Sequence, residues 1–250
     1  MCIRDRPKID TPLYELELPL LKRKVQFRPF LVKEEKILLM AMESEDENSV
    51  VLGIKQIMRN CLLTDIDIED LPILDFEYLF LNLRARSVGE IIDLQYKCNN
   101  DIPGSEDDKT HKCGNLINLS FNALEVKPEI NEINGKIQLT PKLGVVLKYP
   151  TFRAIETMSS VKDINPAEFV SQTVISSIDY IYDEEDMYYA KDTPKEELMD
   201  FVDSLTKEQF GMIQKFFEKI PKLTKKIDFK CNKCNYEENI EIEGIQSFFG

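Results

Sequence analysis

Apolar and polar residues alternate with two different periods along this chain, and the switches between periods mark out its elements. Tyr14, Leu16 and Leu18 alternate with Glu15 and Glu17 in a Pro-bounded stretch, which predicts an extended arm or edge strand. Residues 25–30 predict a second short strand. The period then lengthens. Ile37, Leu38, Ala41 and Met42 share one helical face, and Val50, Val51, Ile54, Ile57, Met58 and Cys61 share a face of a second helix. After an acidic turn at 64–70, Phe76, Leu79, Phe80 and Leu83 fall at i, i+3, i+4 and i+7 and predict a third helix. Alternation returns at Ile92, Leu94, Tyr96 and Cys98, stops over a polar loop at 99–112, and resumes at Ile117, Leu119 and Phe121. That is a strand–loop–strand hairpin with one half-buried face.

The second half repeats this order. Residues 143–147 predict a strand, and KYPTFRAIETM occupies the place of RPFLVKEEKILL. Val170, Val174, Ile178 and Ile181 answer Val50, Ile54, Met58 and Cys61 at a constant offset of 120. LTKEQF answers LPILDF at an offset of 134, with the 14 extra residues falling in the acidic stretch 183–200. Phe210, Ile213, Phe216, Phe217 and Ile220 predict a core-facing helix. Ile227, Phe229 and Cys231 then answer Leu94, Tyr96 and Cys98, and Ile240 and Ile242 answer Ile117 and Leu119. The expected fold is α+β, built from two divergent copies of a strand–helices–β-hairpin unit and joined by a zinc-ribbon-like tetracysteine site. The expected division is an N-terminal arm at 1–24, a first repeat at 25–122, a connector at 123–142 and a second repeat at 143–250. MCIRDR at 1–6 joins poorly to the rest of the chain and reads as a non-native scar, so Cys2 is set aside with it.

Each predicted hairpin carries a pair of cysteines. Cys231 and Cys234 have the C-x2-C spacing that lets two sulfurs reach one ion. Cys98 and Cys113 are farther apart, but a loop inserted into such a turn costs little closure entropy. Four thiols in two pairs form the usual ligand set of a structural zinc, and this chain offers Cys98, Cys113, Cys231 and Cys234. Gly114 suits a tight turn after its ligand. Lys97, Lys112, Lys230 and Lys233 flank the thiols and are expected to offset a tetrathiolate's charge. His111, the single histidine, is the one alternative ligand, in place of Cys113; Cys61 lies on an apolar helix face and reads as core. A redox C-x-x-C stands at the start of a helix, whereas NYEENIEIEG continues as a strand.

Composition narrows the function. The net charge is −13, from 45 acidic and 32 basic residues, which argues against nucleic-acid binding because phosphate neutralisation needs Lys/Arg patches. No apolar run reaches the length of a transmembrane helix and no signal peptide is expected, so the six cysteines are expected to stay reduced and the paired thiols to serve as metal ligands rather than disulfides. No phosphate-binding loop, nucleophile elbow or zinc-protease motif occurs. With one histidine in a polar loop, no catalytic constellation forms, and no small-molecule substrate is expected. DEEDMYY at 183–189 lacks the Asp/Asn alternation and glycine of a calcium loop and reads as a solvated, mobile loop. Phe248 and Phe249 end the chain as an apolar tail, docked on its own domain or offered to a partner.

Three segments in fixed order, RPFLVKEEKILLMAMES, YLFLNLRARSVGE and FKCNKCNYEENIEIEGIQSFF, resemble the T4-type baseplate hub family of contractile bacteriophage tails. The resemblance runs from about Val25 to the C-terminus. It implies a virion structural or assembly protein without enzymatic activity, made in the bacterial cytoplasm and placed at the tail baseplate. Its implied partners are other hub and tail-tube proteins. The rival reading is a zinc-ribbon adaptor in transcription or nucleic-acid handling.

Overall fold

The structure is a computed structural model describing residues 10–43, 47–103, 110–130, 133–159 and 165–244. Residues 1–6 with Cys2, and the Phe248–Phe249 tail, lie outside the described residues. In chain order the elements are β1 (Tyr14–Glu17), β2 (Lys24–Phe27), α1 (Val32–Glu43), α2 (Glu47–Cys61), α3 (Ile73–Ser87), β3 (Ile91–Lys97), β4 (Asp101–Pro103), β5 (Thr110–Lys112), β6 (Leu116–Asn122), β7 (Lys136–Gln138), β8 (Gly144–Leu147), α4 (Phe152–Ser159), α5 (Pro166–Ser177), β9 (Ile178–Tyr182), β10 (Met187–Tyr189), α6 (Lys195–Asp203), α7 (Lys207–Glu218), β11 (Thr224–Lys230) and β12 (Glu237–Glu243). The fold is α+β with several small sheets. Two compact units form, one from residues 1–66, 77–128 and 222–250, the other from 67–76 and 129–221. These units cut across the expected repeat boundary, because β11–β12 clusters with the first half of the chain.

In the first unit, β1 pairs antiparallel with β2, setting Tyr14 opposite Phe27 and Leu16 opposite Val25. Tyr14–Glu17 is therefore one strand of an intramolecular hairpin and not a free arm: cross-strand apolar pairs and the full burial of Leu18 hold it down. The hairpin is tied to the end of α2 through Arg28 N to Cys61 O and Leu63 N to Gln26 O, at 3.0 and 2.8 Å. Helical periodicity correctly places the core face of α2, where Ile54, Ile57, Met58 and Cys61 are buried. Leu38 and Ala41 of α1 are buried as expected; the side chain of Met42 lies outside the described residues. Beneath this layer lies an ion pair. Glu34 is fully buried and receives Arg28 Nη2 at 3.0 Å and the Leu31 amide at 2.9 Å.

The second unit is a four-stranded antiparallel sheet, β10-β9-β8-β7, with helices on one face. Val145, Val174, Ile178, Ile213 and Phe216 are buried in one apolar cluster, bearing out α7 as a core helix. A capping box starts α7, with Thr206 and Gln209 each bonding the other's backbone amide. The first turn of α3 also belongs here: Phe76 stacks on Phe152 at 4.0 Å, and Arg153 reaches Asp67, Glu69 and Asp70.

Two expectations fail in this unit. The helical face through Val170, Val174, Ile178 and Ile181 ends early, since α5 stops at Ser177 and Ile178 and Ile181 lie on β9. Ser176 and Ser177 turn their hydroxyls back onto Thr173 O, and the β-branched and aromatic run IDYIY pairs with β8. The acidic run 183–189 is solvated as expected but is not a mobile loop. Asp183 closes the β9–β10 turn by accepting the Glu185 and Asp186 amides at 2.9 and 2.8 Å, and α6 follows.

Candidate metal centre

The site is built by two β-hairpins of the first unit. β3 pairs with β6 and β11 pairs with β12, each over seven residues in unbroken register. Tyr96 and Phe229, one residue pair from the strand ends, meet at a ring separation of 4.9 Å. Tyr96 also donates to Glu238, at 3.3 Å.

Beyond the strand ends each hairpin makes the same turn. Cys231 N bonds Tyr236 O at 2.8 Å, and Asn235 N bonds Cys231 O at 2.9 Å. In the other hairpin Cys98 N bonds Asn115 O at 2.9 Å, and Gly114 N bonds Cys98 O at 3.0 Å. Asn235 and Gly114 occupy equivalent places, with φ of 58° and 65°. Left-handed backbone there is what glycine and asparagine tolerate. The long Cys98–Cys113 spacing is thus a C-x2-C turn opened between Asn100 and Cys113. The inserted residues begin and end as the small hairpin β4–β5, and Cys113 N bonds Asn100 O at 2.8 Å to close its base.

This geometry brings four sulfurs together. The ligand atoms of Cys98, Cys113, Cys231 and Cys234 all lie within 4.8 Å of one another. Cys98 and Cys234 are 3.7 Å apart and Cys113 and Cys231 3.9 Å apart. A tetrahedral ion with sulfur ligands at about 2.3 Å needs sulfurs about 3.8 Å apart. A disulfide needs about 2.05 Å. The arrangement can chelate a metal ion. Cys98 and Cys231 are fully buried, Cys113 nearly so, and Ile102 and Ile117 pack against them.

Backbone amides point at the sulfurs. The Asn100 amide favours the Cys98 thiolate, but burial and the neighbouring sulfurs outweigh it and push that thiol up to about 12. The Asn115 amide acts in the same way on Cys113, which burial and the Cys234 and Cys231 sulfurs raise on balance. Cys231 goes the other way: the Cys234 amide, helped by that of Lys233, overcomes burial and brings it down to about 6. Four thiolates at this spacing repel one another, and a cation at their centre is what lets them ionise together.

The sequence identifies the sulfurs but not their polar partners. Asn115 Nδ2 donates to Cys231 Sγ at 3.5 Å, and Asn100 Nδ2 to Cys234 Sγ at 3.7 Å. Two of the four lysines expected to offset the charge pair elsewhere: Lys112 with Asp101 and Lys230 with Glu237, both on the strands. Lys233 alone among these three reaches the site, donating to Cys113 O at 3.3 Å. Asparagine after a strand reads only as a turn former, so nothing in its spacing marks it as a sulfur donor. His111 is exposed on β5 opposite Ile102 and is not among the clustered ligands.

The remaining described cysteine stands apart. Cys61 is fully buried at the end of α2, and burial pushes its thiol up to about 11. Cys61→Ser is expected to retain the full metal content while lowering the unfolding midpoint, because a hydroxyl replaces an apolar sulfur in the core. Elemental analysis and a urea titration check both halves.

Over residues 11–250 the chain matches the family described as T4 bacteriophage base plate protein. It belongs to that family. No curated protein and no solved structure matches it. This baseplate protein is a structural or assembly component of the phage tail, made in the host cytoplasm and acting through protein contacts, not an enzyme. Family membership lends no support to the nucleic-acid adaptor reading. As a baseplate component it works against other baseplate or tail proteins.

Proposed function

We propose that this baseplate protein is a hub subunit whose first unit is stapled by one structural zinc, held by Cys98, Cys113, Cys231 and Cys234. The observation that carries the metal reading is the sulfur spacing of 3.7 and 3.9 Å on two matching turns. Four protein ligands leave zinc no open position for water or substrate, so the ion holds structure. Soft thiolates select zinc over hard cations such as magnesium or calcium. The staple joins a hairpin from the middle of the chain to one near its end, with Cys113 and Cys231 separated by 118 positions. It thereby fixes a rigid surface for neighbours, which on this reading are hub and tail-tube proteins.

The hub position is supported by the three sequence segments in family order. Cross-linking mass spectrometry on purified tails tests it. Cross-links to tube or central baseplate proteins are expected, and cross-links confined to peripheral baseplate proteins would overturn the hub assignment.

We further infer that the chain arose from two copies of one unit. The recurring order of hairpin, helices and hairpin supports this, as do the two equivalent knuckle turns. Superposing residues 25–121 on 143–244 tests it, since different helix directions in the two halves would rule duplication out.

A further inference from the structure

The four-stranded sheet of the second unit turns one face to its core and the other outward. Register places Ile137, Val145 and Ile181 on the core side. It places Lys136, Val146, Tyr180, Tyr182, Met187 and Tyr189 on the outer side. That outer face is aromatic. The Tyr180 ring lies 6.3 Å from Tyr182 and 5.4 Å from Tyr189. Lys136 Nζ sits 4.7 Å from the Tyr182 ring centroid, and Lys191 Nζ 5.6 Å from that of Tyr189. Tyrosine and methionine are enriched at protein interfaces and frequently anchor them.

The two edges of the sheet differ. At one edge, β7 presents the polar Lys136 and Gln138, the kind of guard that keeps an edge from pairing. At the other, β10 exposes Met187 by 60%, Tyr188 by 47% and Tyr189 by 43%, and carries no charge. The turn bond from Asp183 N to Asp186 O sets the hairpin so that Tyr188 exchanges backbone bonds with Ile181. Met187 and Tyr189 then direct their amides away from β9. The β9–β10 turn at one end of this edge is acidic, while Lys191 lies over Tyr189 at the other end. Asp183 is occupied within the turn and Glu184 pairs with Lys142, while Glu185 and Asp186 have no cation partner among the described residues.

We propose that β10 is a strand-addition site for an extended, lysine- or arginine-bearing segment of a neighbouring baseplate protein. The segment pairs with the outward backbone groups of Met187 and the outward amide of Tyr189, whose carbonyl already accepts from Thr193 Oγ1 at 2.9 Å, and lays alternate side chains across the tyrosine face, its cations meeting Glu185 and Asp186. Backbone bonds supply affinity in such additions, and the alternate side chains supply specificity. The chain's net charge of −13 disfavours a second copy as the occupant. This inference rests on family membership and not on the metal.

The test uses the full chain, free and in purified baseplates. Hydrogen–deuterium exchange is expected to show the amides of Met187 and Tyr189 protected in the baseplate and open in the free protein; equal exchange in both overturns the proposal. Met187→Lys and Met187→Glu supply the charge test on a side chain that folding does not use. The lysine variant guards the edge and repels a basic segment, so its incorporation into baseplates should fall about tenfold or more, as for loss of an interface anchor. The glutamate variant should incorporate nearly normally. Normal incorporation of both variants overturns the site, and equal loss of both overturns the basic occupant. Cross-links from residues near β10 to a second copy of this chain would also overturn it.

Discussion

Cys231→Ser protein is expected to purify without metal and with its first unit unfolded, whereas the unsubstituted protein carries about one zinc per chain by the four-ligand rule. The effect should be the largest available from a single side chain here. Binding of a structural zinc supplies about 10–16 kcal/mol of folding drive in zinc-finger peptides. That exceeds the stability of many whole domains. Apart from the sulfurs, the two hairpins meet at this end through a small apolar contact, chiefly Tyr96 with Phe229, and a few polar bonds such as Tyr96 to Glu238 and Asn115 to Asn232. Circular dichroism with elemental analysis reads both consequences, and a strong chelator should reproduce them in the unsubstituted protein. The second unit has its own core and should keep its secondary structure after chelation. A folded, metal-free preparation of the unsubstituted protein would sink the zinc reading, and Cys61→Ser separates loss of metal from loss of any thiol.

Glu34→Ala is expected to destabilise the first unit by about 3–5 kcal/mol, the usual cost of leaving one member of a buried ion pair uncompensated. Arg28, whose side chain is 13% exposed, would lose its carboxylate and keep only carbonyls and a sulfur as acceptors. The start of α1 would lose its cap at the Leu31 amide as well. The pH dependence gives an independent check. Burial raises the Glu34 pKa, but Arg28, the Leu31 amide and Lys33 outweigh it and hold the carboxyl below its ordinary value. A lowered folded pKa means that this stability is present above the unfolded value and is lost as pH falls through the folded one. The gap in urea midpoint between the protein and Glu34→Gln should therefore be widest above about pH 5 and shrink on acidification. A gap that does not change with pH would show that the ion pair contributes nothing beyond packing.

How much of the fold is legible in the sequence depends on whether an element's burial is set locally. The core faces of α2, α3 and α7 can be read from spacing alone, because a helix that buries one stripe must repeat its apolar residues every three or four positions. The same holds for β3, β6, β11 and β12, where alternation with charged residues marks a sheet with one buried face. Residues 178–182 mislead because Ile178 and Ile181 also fit a helical stripe. Only pairing with β8 and β10, which is remote or sequential but not periodic, makes them a strand.

The cysteine site is half legible. C-x2-C is a local signal, and Cys231–Cys234 can be read directly. Cys98 and Cys113 are recoverable because each borders a predicted strand, yet the reason they act as a pair is a turn whose hydrogen bonds close across an inserted hairpin. The asparagine donors and the fate of the flanking lysines are not legible at all, since which side chain reaches a sulfur depends on how two distant hairpins approach each other.

What the sequence determined by itself was the kind and order of elements, the four sulfurs, the absence of catalytic motifs and the family, because each depends on residue type at short range. The tertiary structure decided which strands share a sheet, that the last hairpin packs with the first half of the chain, and that β10 is an edge. Those features depend on which surfaces meet after collapse. A short element's pattern says which face is apolar, but not which other apolar face will cover it.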